Sequence, residues 1–206
     1  MGTTQASLLD CLADGPPPLT GTEHLDLGAG AWLEVCRGWL PDWDLFDVLA
    51  GGAPWRTEQR PMYDRVVDVP RLLAFYDDLD LPLPHPALVA ARVVLDEHYW
   101  PVIGEPFRTL GLCCYRDGAD SVAWHGDTVG RGARQDTVVA ILSLGATRRF
   151  GLRPVGGGPG LRLDVRHGDL VVMGGSCQRT WQHCVPKTAR PVGARISAQF
   201  RARDVR

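Results

Sequence analysis

The rhythm of apolar and polar residues changes near Pro101. Upstream of it, three stretches follow helical spacing. Asp42 to Ala50 follows Pro41, offers Asp42 or Asp44 as a cap and stops at Gly51-Gly52, which predicts a short helix. Pro70 to Leu79 opens with a proline suited to a first helical turn and carries Leu72, Leu73, Phe75 and Tyr76, predicting a second. Pro86 to Tyr99 places Leu88, Val89, Ala91, Arg92 and Leu95 near the 3.6-residue period, predicting a third. Ala31 to Val35 reads as a short strand. Downstream, strand-length runs follow one another: Thr109–Tyr115, Thr137–Leu144, Arg149–Leu152, Leu161–Val165, Leu170–Met173, Arg179–Val185 and Ala194–Arg201. Glycine and proline separate several of them. Many short strands with no helical pattern between them indicate an antiparallel sandwich or barrel, the jelly roll included. The expected fold class is therefore α+β, with helices first and an all-β body after them. Residues 1–25, with Pro16-Pro17-Pro18, read as a flexible tail, and 26–206 as a single domain.

Composition narrows the classes. With 206 residues, 45% of them hydrophobic and 22% charged, the chain suits one folded domain and excludes a disordered or fibrous protein. No apolar run approaches the ~18 residues of a membrane span. The N-terminus has no basic-then-apolar order, so a secretory signal is not expected. Six cysteines form no C-x-x-C pair and read as free thiols of a reducing compartment, placing the protein in the cytoplasm; a monomer is the expected state. The net charge of −2 conceals an asymmetry: residues 1–130 carry −12 and residues 131–206 carry +10. A basic half suits an anionic partner.

His-x-Asp places two metal-ligating side chains on one face of a strand. It occurs three times, at His24/Asp26, His125/Asp127 and His167/Asp169, so the motif alone decides nothing. His24/Asp26 precedes the β-body and reads as loop. His167-Gly168-Asp169 reads as a turn feeding a strand. His125/Asp127 lies inside the β-region and is followed by His183 in a strand-like run. Two histidines and one carboxylate leave a face of an octahedral metal open, as in non-haem Fe(II) oxygenases, and a catalytic zinc is the nearest competitor. The last strand favours iron. Alternation puts Arg195, Ser197, Gln199 and Arg201 on one face and Ile196, Ala198 and Phe200 on the other. Two guanidiniums turned into a cleft require an anion, and an iron-chelating dicarboxylate supplies one.

These residues, together with Tyr115-Arg116-Asp117, Asp120 to Asp127, Ser143 to Phe150, His183 and the Arg195-x5-Arg201 spacing, resemble the AlkB family of iron- and 2-oxoglutarate-dependent dioxygenases, which repair alkylated nucleic-acid bases. The match runs from about Ala31 to Arg203. The resemblance implies a double-stranded β-helix (jelly roll) core at about 106–203 behind N-terminal helices and a nucleotide-recognition lid at about 31–105. It implies that His125, Asp127 and His183 hold Fe(II), and that Arg195 clamps 2-oxoglutarate with Tyr115 bonded to it. Arg201 would lie at the chelating end, with Ser197 and Cys113 beside the cosubstrate and O2 at the remaining metal position. Cys113 departs from the family, which usually has asparagine there. Thr128 to Arg131 also departs, lacking the acid that often follows the metal aspartate.

The activity so implied is oxidative dealkylation of bases in DNA or RNA, with release of an aldehyde. A base inside a duplex cannot reach a buried iron, so the substrate would be single-stranded or flipped-base DNA. Trp55, Met62, Tyr63 and Tyr76 are the candidates to stack on or wedge beside it. Arg153, with Arg148, Arg149 and Arg179, is a candidate for phosphate contact. The competing readings are a hydroxylase or demethylase of another substrate and a non-catalytic nucleic-acid-binding module.

Overall fold

A computed structural model describes residues 15–62 and 65–205, with side chains at 60–62 and 65–68 outside that description. The elements run β1 (Glu23–Gly28), β2 (Ala31–Cys36), α1 (Trp43–Gly52), β3 (Gln59–Met62), β4 (Arg65–Asp68), β5 (Leu72–Asp77), α2 (Pro86–Ile103), β6 (Thr109–Tyr115), β7 (Val122–His125), β8 (Val139–Gly145), β9 (Arg148–Pro154), β10 (Leu161–Val165), β11 (Leu170–Gly175), α3 (Cys177–Thr180), β12 (Trp181–Val185) and β13 (Arg195–Arg201). A seven-stranded sheet has the order β1-β2-β11-β8-β13-β6-β5, and a four-stranded sheet has the order β10-β9-β12-β7. β3 and β4 form a separate hairpin. The strands pair antiparallel throughout, and the two sheets form the jelly roll.

The large sheet is covered on both faces, which explains why every residue of β8 is buried. Ala140, Leu142 and Leu144 join the apolar cluster that also contains Leu45 and Leu49 of α1 and Leu88, Ala91 and Leu95 of α2. Val139 and Ile141 belong to a second cluster with Phe150, Leu152, Val165 and Val185, between the two sheets. On β13 the period of two sends Ile196, Ala198 and Phe200 to the helical side. Its polar residues face the small sheet, and there the site lies.

Helix α1 starts where Asp42 caps it, the side chain accepting from Leu45 N–H at 3.0 Å. Helix α2 continues past Tyr99 to Ile103. Pro101 costs it a backbone bond only in the last turn, before Gly104 closes it in the left-handed conformation.

Three expectations need correction. Pro70 to Leu79 is not a helix. Leu72–Asp77 pairs with Thr109–Cys114 of β6, and its unbroken apolar run Leu72 to Tyr76 suits a strand as well as a helix, with Ala74 and Tyr76 turned into the core. Sheet pairing decided between the two. The tail boundary at residue 25 falls inside β1; Leu19 is already buried, and Trp39 Nε1 donates to the Pro17 carbonyl at 2.8 Å. Within Arg179–Val185, the first two residues belong to α3 and the strand begins at Trp181. The described cysteines, at 36, 113, 114, 177 and 184, are free thiols. Among the described residues, no helix is long and apolar enough to cross a membrane.

Candidate metal centre

Strands β7 and β12 are neighbours in the small sheet, and their register sets His125 opposite His183. The ring centroids are 4.2 Å apart. Asp127, just past the end of β7, completes a group whose ligand atoms all lie within 4.8 Å of one another. Among the described residues this is the one such cluster of three. His24 instead bonds Glu34 at 3.0 Å, and His167 accepts from Gly145 N–H at 2.9 Å and stacks on Trp43. Asp169 is taken by Arg37 and Gly38 N–H.

The hydrogen bonds around the triad leave its ligand atoms free. His125 Nδ1 stands 2.8 Å from the Ala123 carbonyl, which only accepts, so Nδ1 carries the proton and Nε2 keeps its lone pair. Nε2 lies 4.0 Å from Asp127 Oδ1. Arg201 grips the other oxygen, Oδ2, through Nε at 2.8 Å and Nη2 at 2.7 Å. The Asp127 N–H donates to Gln178 Oε1 at 3.0 Å. Burial lowers the basicity of both histidines; the neighbouring His125 adds to this at His183, whose pKa falls to about 3. Burial alone would raise the Asp127 carboxyl, but Arg201 and the histidines outweigh it and hold it at about 2. At neutral pH the set is two neutral imidazoles and one carboxylate, the state that binds a divalent metal. This donor set suits a hard-to-borderline ion such as Fe(II) and leaves positions open for other ligands.

A cavity opens beside the triad, walled by Tyr115, Cys113, Ser197, Gln199 and Arg195, with Ile141, Phe150 and Val185 as its apolar side. Arg195 is fully buried. Its Nε donates to Ser143 Oγ at 2.8 Å, and its guanidinium lies 5.4 Å over the Tyr115 ring. Its Nη1 is buried with no partner. A buried cation with an orphan N–H facing a cavity calls for a carboxylate, so the residues present fit a dicarboxylate ligand. Desolvation raises the Tyr115 phenol, which keeps its proton and serves as a donor. The structure thus brings His125, Asp127, His183, Tyr115, Cys113, Arg195, Ser197 and Arg201 together.

The expected substrate residues fare differently. Tyr76 is a core residue of the helical side, because its position on β5 points it away from the cavity. Trp55 packs against the same cluster and donates to the Leu49 and Ala50 carbonyls. Arg153 stacks 4.4 Å over Trp124 and bonds Gln182, its neighbour in register, one position from His183 and on the opposite face of the strand. Arg148 is buried, not a phosphate contact: it donates to the carbonyls of Asp117, Asp120 and Pro186 at 2.7–2.9 Å. Arg149 pairs with Asp164, and Arg179 with Asp136. Met62 lies in β3 with its side chain outside the described residues, as does the whole of Tyr63. Sequence reasoning missed Arg71, which lines the cavity with its Nε buried and unpartnered, and Gln178, which braces Asp127. Nothing local marked either of them, since each is defined by what it faces across the fold.

Comparison with known proteins places this geometry in context. Residues 56–201 match the family model described as the 2OG-Fe(II) oxygenase superfamily. Alpha-ketoglutarate-dependent dioxygenase alkB homolog 3 of Bos taurus is 32% identical over 179 residues, covering 76% of this chain and 60% of that protein. The human protein of the same name is 31% identical over 182 residues, covering 78% and 60%. DNA oxidative demethylase ALKBH2 of Arabidopsis thaliana is 28% identical over 218 residues, covering 86% and 68%. The chain thus spans about 60% of the length of the mammalian homolog 3 proteins it matches. Among solved structures, OsALKBH1 superposes with a TM-score of 0.57 at 17% identity, covering 86% of this chain and all of that one. A prolyl hydroxylase from Trichoplax adhaerens superposes with a TM-score of 0.57 at 13% identity, covering 82% and 83%.

Proposed function

Because the chain belongs to the 2OG-Fe(II) oxygenase superfamily and resembles its AlkB members, we propose that it is an Fe(II)- and 2-oxoglutarate-dependent dioxygenase that oxidatively dealkylates nucleic-acid bases. The observation that carries this reading is the pairing of the open His125–Asp127–His183 set with the partnerless, buried guanidinium of Arg195 in one cavity. When bound, Fe(II), 2-oxoglutarate and O2 supply the oxidation of a C–H bond, with succinate and carbon dioxide as the other products.

The residues of the chain do the rest. His125, Asp127 and His183 would hold the iron. Arg195, positioned by Ser143 and backed by Tyr115, takes the far carboxylate of the keto acid. Arg201 neutralises one oxygen of Asp127 and fixes which oxygen faces the metal. Ile141, Phe150 and Val185 keep that side of the cavity dry, which strengthens each of these charge contacts. Arg71, with an unpartnered Nε at the cavity wall, offers a hydrogen bond to an entering base. An alkyl carbon that gains a hydroxyl while attached to a base nitrogen leaves as an aldehyde: its C–N bond breaks, the hydroxyl proton is returned to the nitrogen, and the base is restored.

DNA is the preferred polymer in this reading, on the strength of the ALKBH2 relatives' names, with RNA second. The nucleotide must be single-stranded or flipped to reach the cavity. The free thiols suit the cytoplasm. The test compares an N-methylated single-stranded oligonucleotide with its unmethylated twin, scoring formaldehyde and the salt dependence of binding. Formaldehyde from the methylated strand alone, with affinity falling steeply as salt rises, is expected. Succinate without formaldehyde, together with salt-insensitive binding, would transfer the activity to a substrate other than nucleic acid.

A further inference from the structure

The cavity beside the triad has two cations in its wall, Arg71 and Arg195, and none of the described residues that line it is a carboxylate. Asp127 has one oxygen committed to Arg201 and the other 4.0 Å from His125 Nε2. Thr128 and Val129, which follow Asp127, are exposed and bring no acid. Each cavity guanidinium keeps a buried N–H without a partner, Nη1 of Arg195 and Nε of Arg71. Resting on the reading above, we propose that this chain selects its lesion by charge: it takes uncharged N-alkylated bases with a carbonyl beside the alkylated nitrogen in preference to cationic ones, and Arg71 determines that specificity.

The backbone fixes Arg71 in place. It stands just before β5, and Ser121 stands just before β7. Two bonds tie these segments together: Ser121 N–H donates to the Pro70 carbonyl at 2.8 Å, and Arg71 Nη1 donates to the Ser121 carbonyl at 3.3 Å. His125 follows four residues after Ser121, and both it and Arg71 line the cavity. With Nη1 anchored, Nε is left buried and unpartnered. A guanidinium has only donors and keeps its charge, so what Nε lacks is an acceptor.

Alkylated bases divide on this point. Alkylation at N3 of cytosine or N1 of adenine leaves a cationic ring at neutral pH, with an amino group, a donor, beside the alkylated nitrogen. Alkylation at N3 of uracil or thymine, or N1 of guanine, replaces a proton, so the ring stays neutral and a carbonyl acceptor stands in that place. The charges of a divalent metal and a dianionic keto acid cancel, as do those of Asp127 and Arg201. Arg71 and Arg195 therefore leave the loaded cavity positive. A cationic base brings like charge and donor against donor into a water-poor site, where both are most costly. A neutral base instead supplies the acceptor that removes the penalty on the orphan N–H. A site built to bond one group rejects the analogue that lacks it.

The test uses protein loaded with manganese(II) and 2-oxoglutarate, without oxygen, so that binding is read without turnover. Three single-stranded oligonucleotides differ at one base: 3-methylcytosine, 3-methyluracil or unmodified uracil. The two methylated bases match in shape and differ only at the position beside the methylated nitrogen. Wild type should bind the 3-methyluracil strand about tenfold to a hundredfold more tightly than the 3-methylcytosine strand, the worth of one hydrogen bond to a charged group. In Arg71→Met protein that ratio should fall close to one, while its affinity for 2-oxoglutarate stays near wild type. For wild type alone, the ratio should also shrink as pH is raised past the point where 3-methylcytosine loses its proton, because its nitrogen then becomes an acceptor. Equal or tighter wild-type binding of the 3-methylcytosine strand would overturn the proposal, as would a ratio that neither Arg71→Met nor high pH alters. A large loss of 2-oxoglutarate affinity in Arg71→Met would overturn it too, by giving Arg71 to the keto acid. Wild type that binds neither methylated strand more tightly than the unmodified one would sink the reading of the whole site as a base dealkylase, whereas a preference for 3-methylcytosine sinks only this inference.

Discussion

Replacing Gly126 by alanine adds one methyl group between His125 and Asp127, two of the three residues proposed to hold the metal, and the geometry says how much that disturbs. A Cβ there would lie 2.3 Å from the Gln178 carbonyl oxygen and 3.3 Å from the Trp181 carbonyl oxygen. A comfortable carbon–oxygen contact is about 3.3 Å, so the backbone must open by about 1 Å. The atom in the way is main chain of α3, which leads directly into His183 on β12, so it cannot swing aside like a side chain. Overpacking of this kind costs about 1–3 kcal/mol, or roughly 2–12 °C of melting temperature for a chain of this size. The greater effect falls on the metal: the opening separates His125 and Asp127 from His183, and disturbing the surroundings of ligands typically costs about 10–100-fold in metal affinity. Thermal melts without metal and calorimetric titration of manganese(II) measure the two effects separately. Gly126→Ala protein that melts and binds metal like wild type would refute the reasoning, because α3 would then not be pressed against the ligand segment.

Other expected outcomes follow from the same contacts. Arg201→Met leaves a buried carboxylate without its cation and should destabilise the metal-free protein by about 3–5 kcal/mol in urea denaturation; a loss under about 1 kcal/mol would count against the pair's role. Arg195→Met should weaken 2-oxoglutarate binding by about a hundredfold or more while leaving manganese affinity near wild type, since the Arg195 guanidinium donates to Ser143 and not to the residues proposed to hold the metal. Asp96 accepts from Phe107 N–H at 2.7 Å, yet burial raises its carboxyl above the usual range. A carboxyl whose folded pKa is raised favours the native state at low pH and costs stability as pH rises through that pKa. Asp96→Asn should therefore gain stability relative to wild type between about pH 3 and pH 7, measured by melts across that range; a gap that shrinks with rising pH would contradict the assignment.

How far the sequence could be read depended on what each residue's neighbours were. The two-residue period alone placed Arg195, Ser197, Gln199 and Arg201 on one face of β13, because a strand's alternation is local. It also paired His125 with Asp127. His183 lies on another strand, and its approach to His125 depends on the register of β7 with β12, which the resemblance supplied and periodicity could not. Pro70–Leu79 is a strand and not a helix because its apolar run is unbroken and carries neither period, so the edge of β6 decides between the two. Tyr76 was lost as a substrate residue with that helix, since a strand turns it into the core. Arg148 was misread because three backbone carbonyls from distant loops converge on it, which no pattern in the chain announces. Gln178 and Arg71 are likewise defined by what they face across the fold.

The central claim is that His125, Asp127 and His183 hold an iron whose chemistry consumes 2-oxoglutarate to remove an alkyl group from a base. The most direct measurement supplies Fe(II), 2-oxoglutarate and air with a single-stranded oligonucleotide bearing one N-methylated base, and counts succinate and formaldehyde together. The account predicts both products in near-equal amounts from wild type and neither from His183→Ala. Undiminished formation of either product by His183→Ala protein, or no succinate from wild type at all, would contradict it.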